Sequence, residues 1–186
     1  MSNAPDPVIE DTQRWLERAV IGLNLCPFAK AVQQKQQIRY RHSPATTPKA
    51  LAAELVHELQ LLAAADPAQV DTTLLIHPQV LQDFDDYNDF LDVADALLEE
   101  LGLDGEIQVA SFHPQYRFEG TAEGDIGNFS NRSPHPTLHL LREASIERAV
   151  ASFPDAAEIF ERNIETLNKL GVAGWARLFD APAKPR

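Results

Sequence analysis

The chain of 186 residues contains a single cysteine, Cys26, so no internal disulfide can form, which suits a reducing, cytoplasmic setting. Positive charge is also scarce. Sixteen Lys and Arg stand against 28 Asp and Glu, a formal net charge of -12, and no basic run offsets it. That excludes a general nucleic-acid binder, because phosphate contacts need a basic surface. No apolar run approaches the ~18 residues needed to span a bilayer, and MSNAPDPVIEDTQRW lacks the basic start and apolar core of a signal peptide, so a soluble protein with no membrane partner is expected. HExxH and CxxC are missing, and Gly120, Gly124 and Gly127 do not fall at the GxGxxG spacing of a phosphate-binding turn. There is no composition break and no internal repeat of solenoid type. The expectation is one domain over residues 1–179, followed by a Pro- and Ala-rich tail, 180–186, that frays.

What is present alternates between helix and strand signals. Asp6-Pro7 reads as an N-cap followed by proline at the first helical position, opening a helix through Trp15 that stops near Gly22. Cys26-Pro27 repeats the pattern and predicts a short second helix with Cys26 at its cap, where the helix dipole would favour a thiolate. Leu51, Leu55, Leu59 and Leu62 recur at the spacing of one buried helical face after Thr47-Pro48, and a further helix is predicted from Phe84 to Leu101. Between these lie three strand candidates, Ile38–His42, Thr72–His77 and Ile107–Phe112. Thr137–Leu141 suits a strand by its alternation, while Pro136 could equally open a helix; the strand is preferred because Ser145 reads as the fresh cap of a helix to Phe153, with another from Asp155 to Leu170 ending at Gly171. The fold class is therefore α/β: a single domain with a small, mainly parallel sheet of β-α-β-α-β type flanked by helices, and a helical C-terminal part. Trp15 and Trp175 read as packing residues at helix surfaces. The acidic run around Asp85 to Glu100 reads as the solvated face of its helix.

His42, His77 and His113 each end a predicted strand within two residues of a proline, so a shared strand direction would set three imidazoles along the edge where open α/β sheets bind ligands. From Phe112 to Arg142 the chain reads FHPQYRFEGTAEGDIGNFSNRSPHPTLHLLR. This stretch holds three of the six histidines and three of the eight glycines, yet it has little apolar periodicity. Its aromatics argue against disorder, and a long ordered connection in a small domain is commonly functional.

Imidazole is both a base near neutral pH and the commonest metal ligand. The favoured reading is a small-molecule enzyme, in the form of a metal-assisted hydrolase. His113 serves as general base or ligand, Asp125 is its orienting partner, and His77, His113 and His139 are candidate ligands of a divalent metal, with Glu119 or His135 as substitutes. Arg132 supplies a planar fork for an anionic substrate, with Tyr116, Asn128, Asn131, Ser133 and His135 completing the ligand site. A non-catalytic sensor or binding module for an anionic metabolite would use the Arg132 and Asn131 cluster alone. A thiol-based redox protein would use Cys26. Each has a structural counterpart: histidines that close strands onto backbone, Asn and Asp that hold turns, an Arg132 paired with Asp125 or Glu119, and a buried, inert Cys26.

The segment just quoted, together with LNLCPFAK earlier in the chain, resembles a bacterial family known as domain of unknown function 1415, and the resemblance covers most of the sequence. It brings no reaction, ligand or catalytic residue with it.

Overall fold

The computed structural model describes residues 6–153 and 155–180. Four strands form one sheet: β1 (Ile38–His42), β2 (Thr72–Ile76), β3 (Ile107–Phe112) and β4 (Thr137–Arg142). Their order is β1-β2-β4-β3. β1 and β2 pair in parallel, whereas β4 runs antiparallel to both β2 and β3. The three strands expected to share a direction do share it. The mainly parallel sheet is nonetheless corrected to a mixed one, because β4 occupies the gap between β2 and β3 that a further parallel strand would have filled.

Helices cover both faces, giving the layered α/β domain that the alternation predicted. On one face lie α3 (Pro48–Ala64) and α4 (Phe84–Glu100). Thr47 caps α3 by accepting the Ala50 N–H, and Asp83 caps α4 through the N–H groups of Asp85 and Asp86. Leu51, Leu55, Leu59 and Leu62 are fully buried against Leu75, Leu138 and Leu140. Arg142, at the end of β4, reaches the carbonyls of Leu62, Ala65 and Val70 at 2.6, 2.8 and 3.2 Å, satisfying orphan acceptors where α3 ends. Arg39 of β1 forks onto Glu58 of α3 at 2.7 and 3.0 Å, so this buried carboxylate has a partner.

The other face meets α1 (Pro7–Trp15), its π-helical continuation Leu16–Ile21, the short α2 (Ala29–Gln34) and α5 (Glu143–Ala151). Asp6 caps α1 as expected, and its second oxygen lies 2.8 Å from His42 Nδ1, which ties the helix start to β1. The wide turn ends at Gly22, where any Cβ would collide with the Arg18 carbonyl oxygen. α6 (Ile159–Asp180) is two helices joined at Gly171, whose φ of 68° breaks the run at the predicted place. The chain then continues as helix to Asp180, which propensity had not indicated. The tail beyond it lies outside the described residues.

Two local expectations are corrected. Cys26 is not the cap residue of α2: the N–H groups of Leu25 and Cys26 turn back to the Val20 carbonyl at 2.9 and 3.5 Å and close the π-helix, and the helix begins only at Ala29, with Phe28 at the cap position. Ser145 does not open α5, which starts at Glu143, directly after β4. Its hydroxyl is held by Asp71 at 2.6 Å.

Tyr87 of α4 is fully buried; its hydroxyl donates to the Thr137 carbonyl at 2.8 Å and accepts the Phe112 N–H at 3.1 Å. Phe112 and Thr137 are partners at the end of the β3–β4 ladder. Tyr87→Phe keeps the ring and removes both bonds, so a loss of about 2–3 kcal/mol is expected in urea unfolding with an unchanged denaturant slope.

Candidate functional site

The segment from His113 to Pro136 crosses the sheet edge at which β1, β2 and β3 end, as the His-Pro pattern predicted. Its polar groups are mostly spent on the segment itself. Asn128 is fully buried; its carbonyl oxygen accepts from Phe118 N–H and the Thr121 hydroxyl, both at 2.9 Å, and its amide donates to the Ala122 carbonyl. Asn131 donates to the Ser111 carbonyl at 3.1 Å. Asp125 caps a short 3-10 helix, Ile126–Asn131, through the Gly127 N–H. Ser133 donates to the His135 carbonyl at 2.6 Å, and Tyr116 packs edge-on against Phe84 and Phe118. These are the turn-holding roles that such side chains commonly fill.

His113 is likewise engaged at both nitrogens. Nδ1 accepts the Gln115 N–H at 3.0 Å, which makes Nε2 the protonated atom, and Nε2 lies 3.1 Å from the Leu81 carbonyl. His77 bonds the Val80 carbonyl through Nδ1, and both imidazoles pack against the Tyr87 ring, at 5.8 and 5.0 Å. The three metal candidates do not come together. Side chains alternate across a sheet, and the ladder register puts His77 on the face of α3 and α4 with Leu75 and Leu138, while His139 pairs with Leu74 and Ala110 on the opposite face. Among the described residues no group of three or more His, Cys, Asp or Glu is placed to hold a metal ion.

His139 instead lies on the floor of a large cavity. Its volume is about 660 Å³, and it lies between the second face of the sheet, α1 with its π-helical turn, α2 and α5. The space persists because the elements facing it carry small side chains: Ala29, Ala31, Ala110 and Ala149. Trp15, Phe112 and Cys26 line the walls. Thr72 fixes the state of His139. Its hydroxyl lies 2.6 Å from the Leu140 carbonyl, to which it gives its one proton, so it can only accept from His139 Nε2 at 2.7 Å. The imidazole is thus the Nε2–H tautomer, with Nδ1 left as an acceptor. Burial lowers its pKa to about 4, so it is neutral at ordinary pH. Cys26 is partly buried, and desolvation raises its thiol pKa against the opposing pull of the Phe28 and Ala29 N–H groups, the reverse of the thiolate expected at a helix cap.

A second cavity, of about 420 Å³, opens between α1, the edge segment and the last turns of α6. Arg132 and Ser133 reach it, together with Arg14 and Asp11 of α1. His135 lies beside it, with Nε2 at 3.4 Å from Asp11. Arg132 pairs with neither Asp125 nor Glu119. Its Nε and Nη2 donate to the carbonyls of Tyr116 and Glu123 at 3.1 and 2.5 Å, and its guanidinium sits 4.4 Å over the Phe129 ring.

A family model described as "Protein of unknown function (DUF1415)" matches residues 7–177. The chain belongs to the DUF1415 family. The match takes in the whole edge segment, the larger cavity and all of the second cavity's lining except Phe179. No curated protein and no solved structure matches the chain. No helix among the described residues is long and apolar enough to cross a membrane. Sequence reasoning had singled out Cys26 and His139 without linking them, and it missed Thr72, Ala110 and Phe112. The signal was present in β3 and β4, where reading every second residue puts Ala110, Phe112 and His139 on one face.

Burial lowers the pKa of three imidazoles, His77, His113 and His139, and the two shifted furthest set an acid limit on stability. His77 and His139 titrate at about 4 in the folded protein against 6.5 as free side chains. Between these values the unfolded chain binds more protons than the native one, so stability is highest above 6.5, falls as the pH drops towards 4 and levels off below. His139→Phe should reduce the loss between about pH 7 and pH 5 by on the order of 2 kcal/mol, read from urea midpoints across that range.

Proposed function

We propose that this protein binds a small, mainly apolar molecule carrying one hydrogen-bond donor, held in the larger cavity with that donor on His139 Nδ1. The observation that carries the reading is a neutral imidazole with an unused acceptor in the lining of a mainly apolar space of about 660 Å³, within the size range of small-molecule sites, where Asp71, Gln108 and Arg148 are among the few other polar side chains. A fixed polar atom on an apolar floor orients a ligand without attracting charged ones.

Binding is favoured over catalysis at this site by the two groups able to react. An imidazole titrating near 4 is a weak base at neutral pH, where an efficient one titrates close to the working pH. The Cys26 thiol keeps its proton, and the thiolate is the nucleophile. The metal-assisted hydrolase reading draws no support from the histidines, since His113 spends both nitrogens on backbone and His139 faces away from it.

The test compares 2-naphthol, which has the donor, with 2-methoxynaphthalene, which lacks it, by calorimetry and by quenching of Trp15 fluorescence. A neutral hydrogen bond of about 1 kcal/mol gives naphthol a roughly fivefold preference, and His139→Phe removes that preference while leaving binding of the ether. Ala110→Trp fills the floor and abolishes binding of both without unfolding the protein. Bound naphthol also slows alkylation of Cys26 on the cavity wall. Absence of saturable binding, or binding indifferent to Ala110→Trp, would sink the reading.

A further inference from the structure

The second cavity has the opposite chemistry. Among the described residues, no carboxylate lies within ion-pair distance of Arg132; the Glu123 side chain favours its charge only from further away. Two of its five N–H groups are used on carbonyls, and none on Nη1 has a protein acceptor. The guanidinium is partly buried, and that desolvation lowers its pKa, the mark of a cation short of counter-charge. The second cation, Arg14, is half-exposed and tied only to the half-exposed Asp11 at 2.9 Å, a pair easily exchanged for a better acceptor. Ser133 is committed as a donor to the His135 carbonyl and adds none. The lining therefore carries two arginines against one aspartate, a local positive excess in a chain of net charge -12. Its walls include the rings of Phe129 and Trp175, which meet edge to face at 5.4 Å. An aromatic cage would also suit an organic cation, but two guanidinium groups repel one.

We propose that this cavity is a second binding site, taking a small aromatic carboxylate whose anionic group is gripped by Arg132 and Arg14 and whose ring lies against Phe129 and Trp175. The planar guanidinium fork matches a carboxylate through two parallel N–H···O bonds, and the aromatic walls supply contact area to a flat ring. The site is separate from the one proposed for an apolar ligand: the two cavities share only Trp15 as a wall.

The experiment titrates the full-length protein with benzoate, its neutral isostere benzamide, benzylammonium and inorganic phosphate, read by calorimetry and tryptophan fluorescence. Saturable benzoate binding is expected, about tenfold or more tighter than that of benzamide, with benzylammonium not binding and phosphate competing only weakly. Arg14→Gln lies at a half-exposed position and leaves the fold intact; it should weaken benzoate severalfold. Arg132→Lys keeps the charge, loses the fork and should weaken it further. Ala110→Trp, which fills the other cavity, must leave benzoate affinity unchanged, so failure here is distinguishable from failure of the apolar site. The proposal is overturned if benzamide or benzylammonium binds as well as benzoate, if phosphate binds as tightly as benzoate, if both arginine variants retain wild-type affinity, if Ala110→Trp abolishes binding, or if no saturable binding occurs at millimolar concentration.

Discussion

The position of β4 constrains the rest of the molecule. β2 and β3 run in one direction but are not neighbours, and the gap between them presents unpaired backbone donors and acceptors on both sides. Burying such groups without partners is costly, so the gap has to be filled. β4 fills it antiparallel, leaving and returning at one sheet edge: the Phe112–Thr137 pair closes β3 against β4. The connection from His113 to Pro136 is thus a closed excursion over that edge rather than a helical crossover. Tyr87 locks its mouth, Asn128 ties its interior to its own backbone, and Asn131 ties it to the Ser111 carbonyl of β3. Ordering so long a connection costs much conformational entropy, which explains why its polar side chains are occupied in holding it.

Inserting β4 also makes the two faces of the sheet different. Leu138 and Leu140 join Leu75 and Ile107 in the core under α3 and α4, while the intervening His139 and Leu141 go to the face under α1 and α5. The first face is closed by leucines from two long helices. The second is covered by short or irregular elements bearing alanines, which do not reach the sheet everywhere, and the larger cavity is the space that remains.

The elements that were legible in the sequence are those fixed by local chemistry. Asp6-Pro7 and Thr47-Pro48 start helices because cap and proline satisfy the first turn, the leucines of α3 declare a buried stripe, and Gly171 breaks α6 because φ of 68° suits glycine. Strand direction was legible from the alternation with helices, but neighbour order was not. A strand pattern such as Thr137–Arg142 specifies which residues share a face and says nothing about which partners flank it. The same gap explains the site. Arg132 and Ser133 were recognised as residue types, whereas Arg14 comes to Arg132 from the first helix through tertiary packing alone, as Thr72 comes to His139 through a ladder pairing. Cys26 was misread because the Cys-Pro pattern signals a helix start at Pro27, whereas the chain first closes the π-helical turn on the Val20 carbonyl and the helix begins only at Ala29.

Charge compensation distinguishes three arginine environments of the fold. Glu58, under the sheet, is paired with Arg39 and has Arg41 at 3.9 Å, so the desolvation of this carboxylate is met by opposite charge. Arg142, with no ion-pair partner among the described residues, reaches carbonyls at the C-terminal end of α3, where the helix dipole supplies partial negative charge. Arg132 has neither. Its two carbonyls belong to irregular backbone, and the Phe129 face offers only a quadrupole. A side chain kept solely to lock the edge segment could make those two carbonyl bonds without a second arginine lining the same cavity. The scaffold role therefore accounts for the Nε and Nη2 contacts of Arg132, and an anionic group is the complement that would account for the rest of its charge.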